Sequence, residues 1–175
     1  MATLIKARKI ATDSWRLLRD SPGGAREPLP IDGDIIVPFR RWIEERDTLT
    51  QRAGRIGVLL DGDDEPADIA EDLRLFGVVA VDFPRFTDGR GYSTGRLLRE
   101  RYGWRGELRA VGDVQRDQLF YLARCGFDAF MLRDGEDATV ALDAFHDFSE
   151  RYQSAVDQPL PLFRRRDTAG AALDR

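Results

Sequence analysis

Cysteine and histidine are almost missing from this chain: Cys125 and His146 stand alone among 175 residues. One thiol and one imidazole cannot build an intramolecular disulfide, a CxxC redox pair, a Cys/His zinc site or the thiolate cage of an iron–sulfur cluster. Also lacking is any run of about 18 uninterrupted apolar residues, the length a membrane span requires. The opening Met-Ala-Thr-Leu-Ile-Lys-Ala-Arg-Lys has no apolar centre of the signal-peptide kind. A cytoplasmic chain without a membrane partner is the expectation. There is no excess of positive charge either. Twenty-seven Lys plus Arg stand against 31 Asp plus Glu, a formal net charge of −4, so no global field draws the chain onto a phosphate polymer and nucleic acid is not an expected partner. Lys6 and Lys9 are the only lysines, an imbalance to which no mechanism is attached. Any chemistry here must come from carboxylates, guanidinium groups, hydroxyls or a cofactor whose identity the sequence leaves open.

What is present is a globular composition. With 42% hydrophobic and 33% charged residues, the length suits one domain with a small appendage. Residues 1–20 carry short apolar groups around Thr12-Asp13-Ser14 and read as an N-terminal β arm or hairpin. Residues 21–34 read as a linker, because Ser21-Pro22-Gly23-Gly24-Ala25-Arg26-Glu27-Pro28-Leu29-Pro30 is rich in backbone breakers. Residues 35–157 form the main domain, and 158–175 a flexible tail in which Arg164, Arg165 and Arg166 are expected to be solvated.

Within 35–157 a unit recurs: an apolar, often β-branched run, a polar turn, then a stretch with helical spacing. The runs are Ile35-Ile36-Val37, Ile56-Gly57-Val58-Leu59-Leu60, Val78-Val79-Ala80-Val81-Asp82-Phe83, Leu108-Arg109-Ala110-Val111 and Ala129-Phe130-Met131-Leu132. The helical stripes are Phe39/Trp42/Ile43/Leu49, Ile69/Leu73/Phe76, Leu97/Leu98/Tyr102, Leu119/Leu122/Ala123 and Ala141/Phe145/Phe148/Tyr152. Pro38 suits a helix start, Ser93 and Asp113 suit N-caps, and Gly103 and Gly126 suit helix ends. About five βα units forming a parallel sheet are therefore expected, in an α/β fold that is either open and doubly wound or curled like half of a (β/α)8 barrel. A sheet of that size leaves an edge to be covered by the N-terminal arm or by a second copy in a homodimer.

In either architecture ligands lie beyond the carboxyl ends of the strands, and there the sequence is dense in charge. The segment Asp82-Phe83-Pro84-Arg85-Phe86-Thr87-Asp88-Gly89-Arg90-Gly91-Tyr92-Ser93 joins a strand to a helix through two glycines and two arginines. Backbone N–H groups at a helix start, flanked by guanidinium groups, suit a small anion held by Arg85, Asp88, Arg90, Tyr92, Ser93 and, from the next helix, Arg116. The plainer reading is a set of surface ion pairs around a tight turn. Gly89, Gly91 and Gly95 also approximate a dinucleotide fingerprint, with Asp113 placed for a ribose hydroxyl, although five residues separate the strand end from the first glycine. Asp82 and Asp113, on adjacent strands, are candidates for a carboxylate pair in which one member holds a proton; Asp113 reads equally as an N-cap. Asp61-Gly62-Asp63-Asp64-Glu65 lacks calcium-loop spacing and reads as a solvated cap, with no metal site expected. Cys125 reads as a small buried apolar residue and His146 as a surface one.

The 82–93 segment, with Leu97-Leu98-Arg99, Gly106-Glu107-Leu108-Arg109-Ala110-Val111-Gly112-Asp113-Val114, Arg116-Asp117-Gln118-Leu119-Phe120 and Cys125-Gly126-Phe127-Asp128-Ala129-Phe130, resembles a bacterial family of unknown function. Its members carry the label of oxidoreductases of sulfite reduction. The resemblance runs from about Ile35 to Arg133 and is densest over 82–130. It implies a place beside assimilatory sulfite reductase, with that enzyme or another sulfur-assimilation protein as partner. One cysteine cannot hold the haem and iron–sulfur apparatus of the reductase itself. The expected function is thus an accessory protein of assimilatory sulfite or sulfate reduction with an anion-binding pocket at the strand ends. The alternatives are a nicotinamide- or flavin-dependent oxidoreductase and a ligand-free module that binds the reductase.

Overall fold

The computed structural model describes residues 3–20, 26–148 and 152–165. The expectations for residues 21–25, for Arg166 and for the rest of the tail beyond it lie outside the described residues. All five apolar runs form strands: β4 (Asp34–Pro38), β5 (Ile56–Leu60), β6 (Phe76–Phe83), β7 (Glu107–Gly112) and β8 (Ala129–Met131). They pair parallel and in chain order. The arm supplies three more. β1 (Leu4–Lys6) and β2 (Lys9–Ala11) make an antiparallel hairpin whose β1 pairs antiparallel with β8, while β3 (Trp15–Leu17) runs parallel to β4. The sheet is therefore mixed rather than wholly parallel.

The strand order β2-β1-β8-β7-β6-β5-β4-β3 never reverses within the parallel part, so no topological switch point of the doubly wound kind exists. The arm decides the curvature. β2 and β3 stand at opposite ends of this order, yet residues 12–14 alone join them. Seven interstrand spacings in a flat sheet come to about 34 Å, whereas the four Cα steps from Ala11 to Trp15 reach at most about 14 Å. The sheet must curl until its two edges face each other, and the half-barrel reading is the one the chain adopts. Both edges of the parallel part are taken by the arm, β8 by β1 and β4 by β3.

Both sheet faces are buried, which is why the strands read as unbroken apolar runs rather than alternating ones. Outward-facing Val37, Val58, Leu60, Val79, Val81, Phe83 and Phe130 pack under the helices in one large cluster. Inward-facing Ile36, Leu59, Val78, Ala80 and Val111 pack on one another, with Trp15 and Leu17 of the arm closing over them.

The helices are α1 (Phe39–Gln51), α2 (Arg90–Glu100), α3 (Arg116–Arg124) and α4 (Ala138–Asp143). Gly103 and Gly126 end α2 and α3 at positive φ, as expected. Three details depart from expectation. Between β5 and β6 there is no α-helix, only 3-10 turns at Pro66–Ile69 and Leu73–Leu75, and Phe76 already belongs to the strand. Seven carboxylates and no cation occupy residues 61–72, and like charges three and four apart oppose a helix there. The N-caps are Gly89 for α2 and Gln115 for α3, the latter in a capping box with Gln118, so Ser93 and Asp113 cap neither helix. The last stripe also breaks: after α4 a 3-10 turn (Ala144–His146) follows, Ala141 and Phe145 are buried, and Phe148 and Tyr152 are exposed. About five βα units thus reduce to four strand-to-helix passages and one passage through 3-10 turns.

Candidate functional site

Because β4 to β8 run the same way, their carboxyl ends and the loops that follow share one rim. Along β6 side chains alternate, so Phe83 enters the outer core while Asp82 points into the mouth of the curled sheet. There Asp82 accepts a hydrogen bond at 2.8 Å from Nη2 of Arg19, which the chain delivers just beyond β3. Arg19, Arg40, Leu59, Asp61, Asp64 and Asp82 line a cleft of about 300 Å³ at this mouth. Burial raises the Asp64 carboxyl above its ordinary range, with Asp61, Asp63 and Asp68 adding to the rise.

Asp113 has other partners. It accepts hydrogen bonds from the backbone N–H of Phe86 at 3.0 Å and from Gln115 Nε2 at 3.0 Å, and meets Arg133 Nη1 at 3.4 Å. The Gln115 bond first, then the Phe86 amide and Arg133, hold its carboxyl below the usual range. The expected sharing of a proton between Asp82 and Asp113 is therefore not what the side chains do: Asp82 is tied to Arg19, and Asp113 is biased toward its ionised form.

The loop after β6 is braced from the other side as well. Arg90 donates to both oxygens of Asp88, from Nε at 3.0 Å and Nη2 at 2.7 Å, and its Nη1 reaches Asp63. This guanidinium drives the Asp88 carboxyl down to about 2. A second tie is the backbone bond from Asp88 N–H to the Arg85 carbonyl at 3.0 Å. The result is a loop whose base is fixed at Asp88 and Phe86 while Pro84, Arg85, Phe86 and Thr87 stand exposed. Arg85 makes no ion pair among the described residues. Of the other expected site residues, Ser93 is exposed on the first turn of α2, Arg116 pairs with Asp147 at 2.9 Å, and Tyr92 is half-buried between Phe83 and Tyr121. The structure brings Arg85, Asp88 and Arg90 together but spends Arg90 on carboxylates.

Residues 57–163, more than half the chain, match the model of a family described as bacterial protein of unknown function (DUF934). The chain belongs to that family. No curated protein and no solved structure matches it. The DUF934 span extends further toward the C-terminus than the resemblance over 35–133 suggested, and it contains the braced loop, Asp113 and Arg116 but not the arm that carries Arg19.

Two of the three candidate glycines of the DUF934 loop serve packing. A Cβ on Gly91 would lie 2.7 Å from Phe83 Cζ, and one on Gly95 would lie 2.3 Å from Phe127 Cε2. Their missing side chains let α2 press onto aromatic rings of the core, on the side of the helix away from any solvent-borne pyrophosphate. Gly89, the N-cap, faces open space. Cys125 is buried and its thiol is pushed up by burial, while His146 is exposed. Sequence reasoning missed Arg19 and singled out Asp63 and Asp64 only as caps. No local signal marks Arg19, since it meets Asp82 across 63 residues of chain.

Proposed function

We propose that this DUF934 protein is an accessory component of assimilatory sulfite and sulfate reduction that works by docking, with residues 84–87 as its recognition loop and the sulfite reductase as its partner. The observation that carries this reading is the bracing: Asp113 accepts from the Phe86 N–H, the Asp88 N–H donates to the Arg85 carbonyl, and Arg90 grips the Asp88 carboxylate, so that the loop presents outward Arg85 beside Phe86, which is 48% exposed. Aromatic and arginine side chains dominate the energetically important centres of protein interfaces. A loop whose backbone is already fixed avoids the cost of ordering that backbone on binding, about 1–2 kcal/mol per residue.

An anion held by Arg85, Arg90 and Ser93 has weaker support, because a ligand would have to displace Asp88 and Asp63 from Arg90. Nicotinamide or flavin binding through Gly89, Gly91 and Gly95 has weaker support still, since two of those glycines face aromatic rings. The test is biolayer interferometry with the purified chain and purified assimilatory sulfite reductase. Phe86→Ala is expected to weaken binding by about 2 kcal/mol, roughly thirtyfold. Binding by Phe86→Ala as tight as by the unaltered chain, or no binding by either at tens of micromolar, on the order of the weakest specific complexes, would overturn the proposal.

A further inference from the structure

The opposite end of the strands carries a second cleft, independent of the docking loop. It measures about 270 Å³ and opens at the N-terminal mouth of the curled sheet, where the arm crosses from β2 to β3. Four cations line it, Lys6, Arg55, Arg105 and Arg109, against three carboxylates, Asp13, Glu107 and Asp128. That is an excess of one positive charge on a chain whose net charge is −4.

The carboxylates are already saturated from within. Asp13 accepts from the Trp15 N–H at 3.0 Å and from Arg109 Nη1 at 2.8 Å. Glu107 takes Arg109 Nε at 2.7 Å on one oxygen and Lys6 Nζ at 2.7 Å on the other. Asp128 takes the Leu108 N–H at 2.8 Å and Arg99 Nη2 at 3.0 Å, the latter a cation from outside the cleft. The donors are in a different position. Arg105 makes no ion pair among the described residues and is exposed at the rim. Thr12 and Ser14, both exposed, add hydroxyls from the crossing segment. Arg109, 2% exposed, forms the floor; its Nε and Nη2 meet Glu107 and its Nη1 meets Asp13, so all three nitrogens face a carboxylate and two of the five N–H groups remain. Arg55 is occupied by Asp34 at 3.0 Å and stacks on Trp15, 4.8 Å from the ring centroid. That leaves recognition to charge and hydrogen bonding rather than to base stacking.

We infer that this N-terminal cleft binds a small oxyanion, free or as the end group of a small molecule, with Arg105 as the rim contact, Thr12 and Ser14 as hydroxyl donors and Arg109 as the buried floor. Charge-assisted bonds from the Arg105 guanidinium suit such a group, and beneath it Lys6 and Arg109 offset the charges of Glu107 and Asp13. The site lies at the far end of the strands from Arg85 and Phe86, so it neither needs nor weakens the docking proposal.

The test is isothermal titration of the full chain with sodium sulfate and, separately, with a simple alkyl phosphate, against sodium chloride at matched ionic strength, following Trp15 fluorescence in parallel. Saturable binding on the order of 1 mM or tighter is expected for at least one of the two. Sulfate marks a free oxyanion, and the alkyl phosphate alone marks an end group. Arg105→Ser should weaken it at least about tenfold, and Arg105→Glu should abolish it; both changes fall on an exposed side chain. Arg85→Ser at the other rim should leave it unchanged. The inference is overturned if neither probe saturates above the chloride control, if Arg105→Ser binds like the unaltered chain, or if Arg85→Ser removes binding.

Discussion

Replacing Arg109 by methionine probes how the curled sheet is closed. The substitution keeps most of the buried stem and removes only the guanidinium. It strands Glu107, whose side chain is 6% exposed, with the half-exposed Lys6 as its remaining ion-pair partner among the described residues, and leaves Asp13 with the bond from the Trp15 amide. Removing one partner from a buried ion pair costs about 3–5 kcal/mol, a large share of a total stability of about 10 kcal/mol. With a urea m-value of about 2 kcal/mol/M, the unfolding midpoint should fall by about 2 M. The loss should be recovered in large part by a second change. In Arg109→Met/Glu107→Gln the stranded Glu107 charge is gone, and Lys6, itself half-exposed, loses an ion pair worth at most about 1 kcal/mol. The double variant is therefore expected at about 1–2 kcal/mol below the parent, with a favourable coupling energy of at least about 1.5 kcal/mol between the two sites. Hydrogen exchange should locate the damage, accelerating residues 4–17 of the arm more than β5 and β6. A cost below about 1 kcal/mol for Arg109→Met, or strictly additive losses in the double variant, would show that these charges do not hold the arm.

Gly95→Ala drives a methyl group to within 2.3 Å of the Phe127 ring and should cost about 1–3 kcal/mol by overpacking, read as a lowered Tm, with Phe127→Leu restoring part of it. Asp88 has a folded pKa of about 2 against an ordinary 3.8. A depressed carboxylate contributes stability that is complete above its unfolded value and disappears as pH falls through the folded one, so the brace should release between about pH 4 and pH 2; titration of the Asp88 carboxyl by carbon NMR with a midpoint near 4 would contradict this. Burial raises Asp64 instead. The folded state then holds its proton longer than the unfolded one, so ionised Asp64 is a burden once pH exceeds its raised value, and Asp64→Asn should raise Tm at pH 7 but not at pH 3.

Much of the body was legible in the string because it is set by neighbours in sequence. Each of the five apolar runs became a strand, and Gly103 and Gly126 ended helices, since β-branched runs and left-handed glycines act over a few residues. The acidic stretch after β5 misled for a related reason: Ile69, Leu73 and Phe76 have helical spacing, but spacing carries no account of seven carboxylates repelling one another, nor of Phe76 being claimed by a strand. Ser93 and Asp113 were plausible caps by residue type. Neither is placed to bond the first free N–H groups of its helix, and Asp113 turns instead to the Phe86 amide in the preceding loop.

Periodicity and turn chemistry are local, so the order of residues is enough to specify an α/β protein with an N-terminal β arm and a charged loop after its third main strand. Tertiary structure alone decided that the sheet curls, since a three-residue crossing has to reach both edges, and that Arg19 meets Asp82 and Arg109 meets Asp13 over 63 and 96 residues of chain. It also decided which charges cancel. Ion pairing depends on distance through space, so the loop that looked like an anion cradle neutralises its own Arg90, while Arg105 at the other end of the strands is left without an ion pair among the described residues.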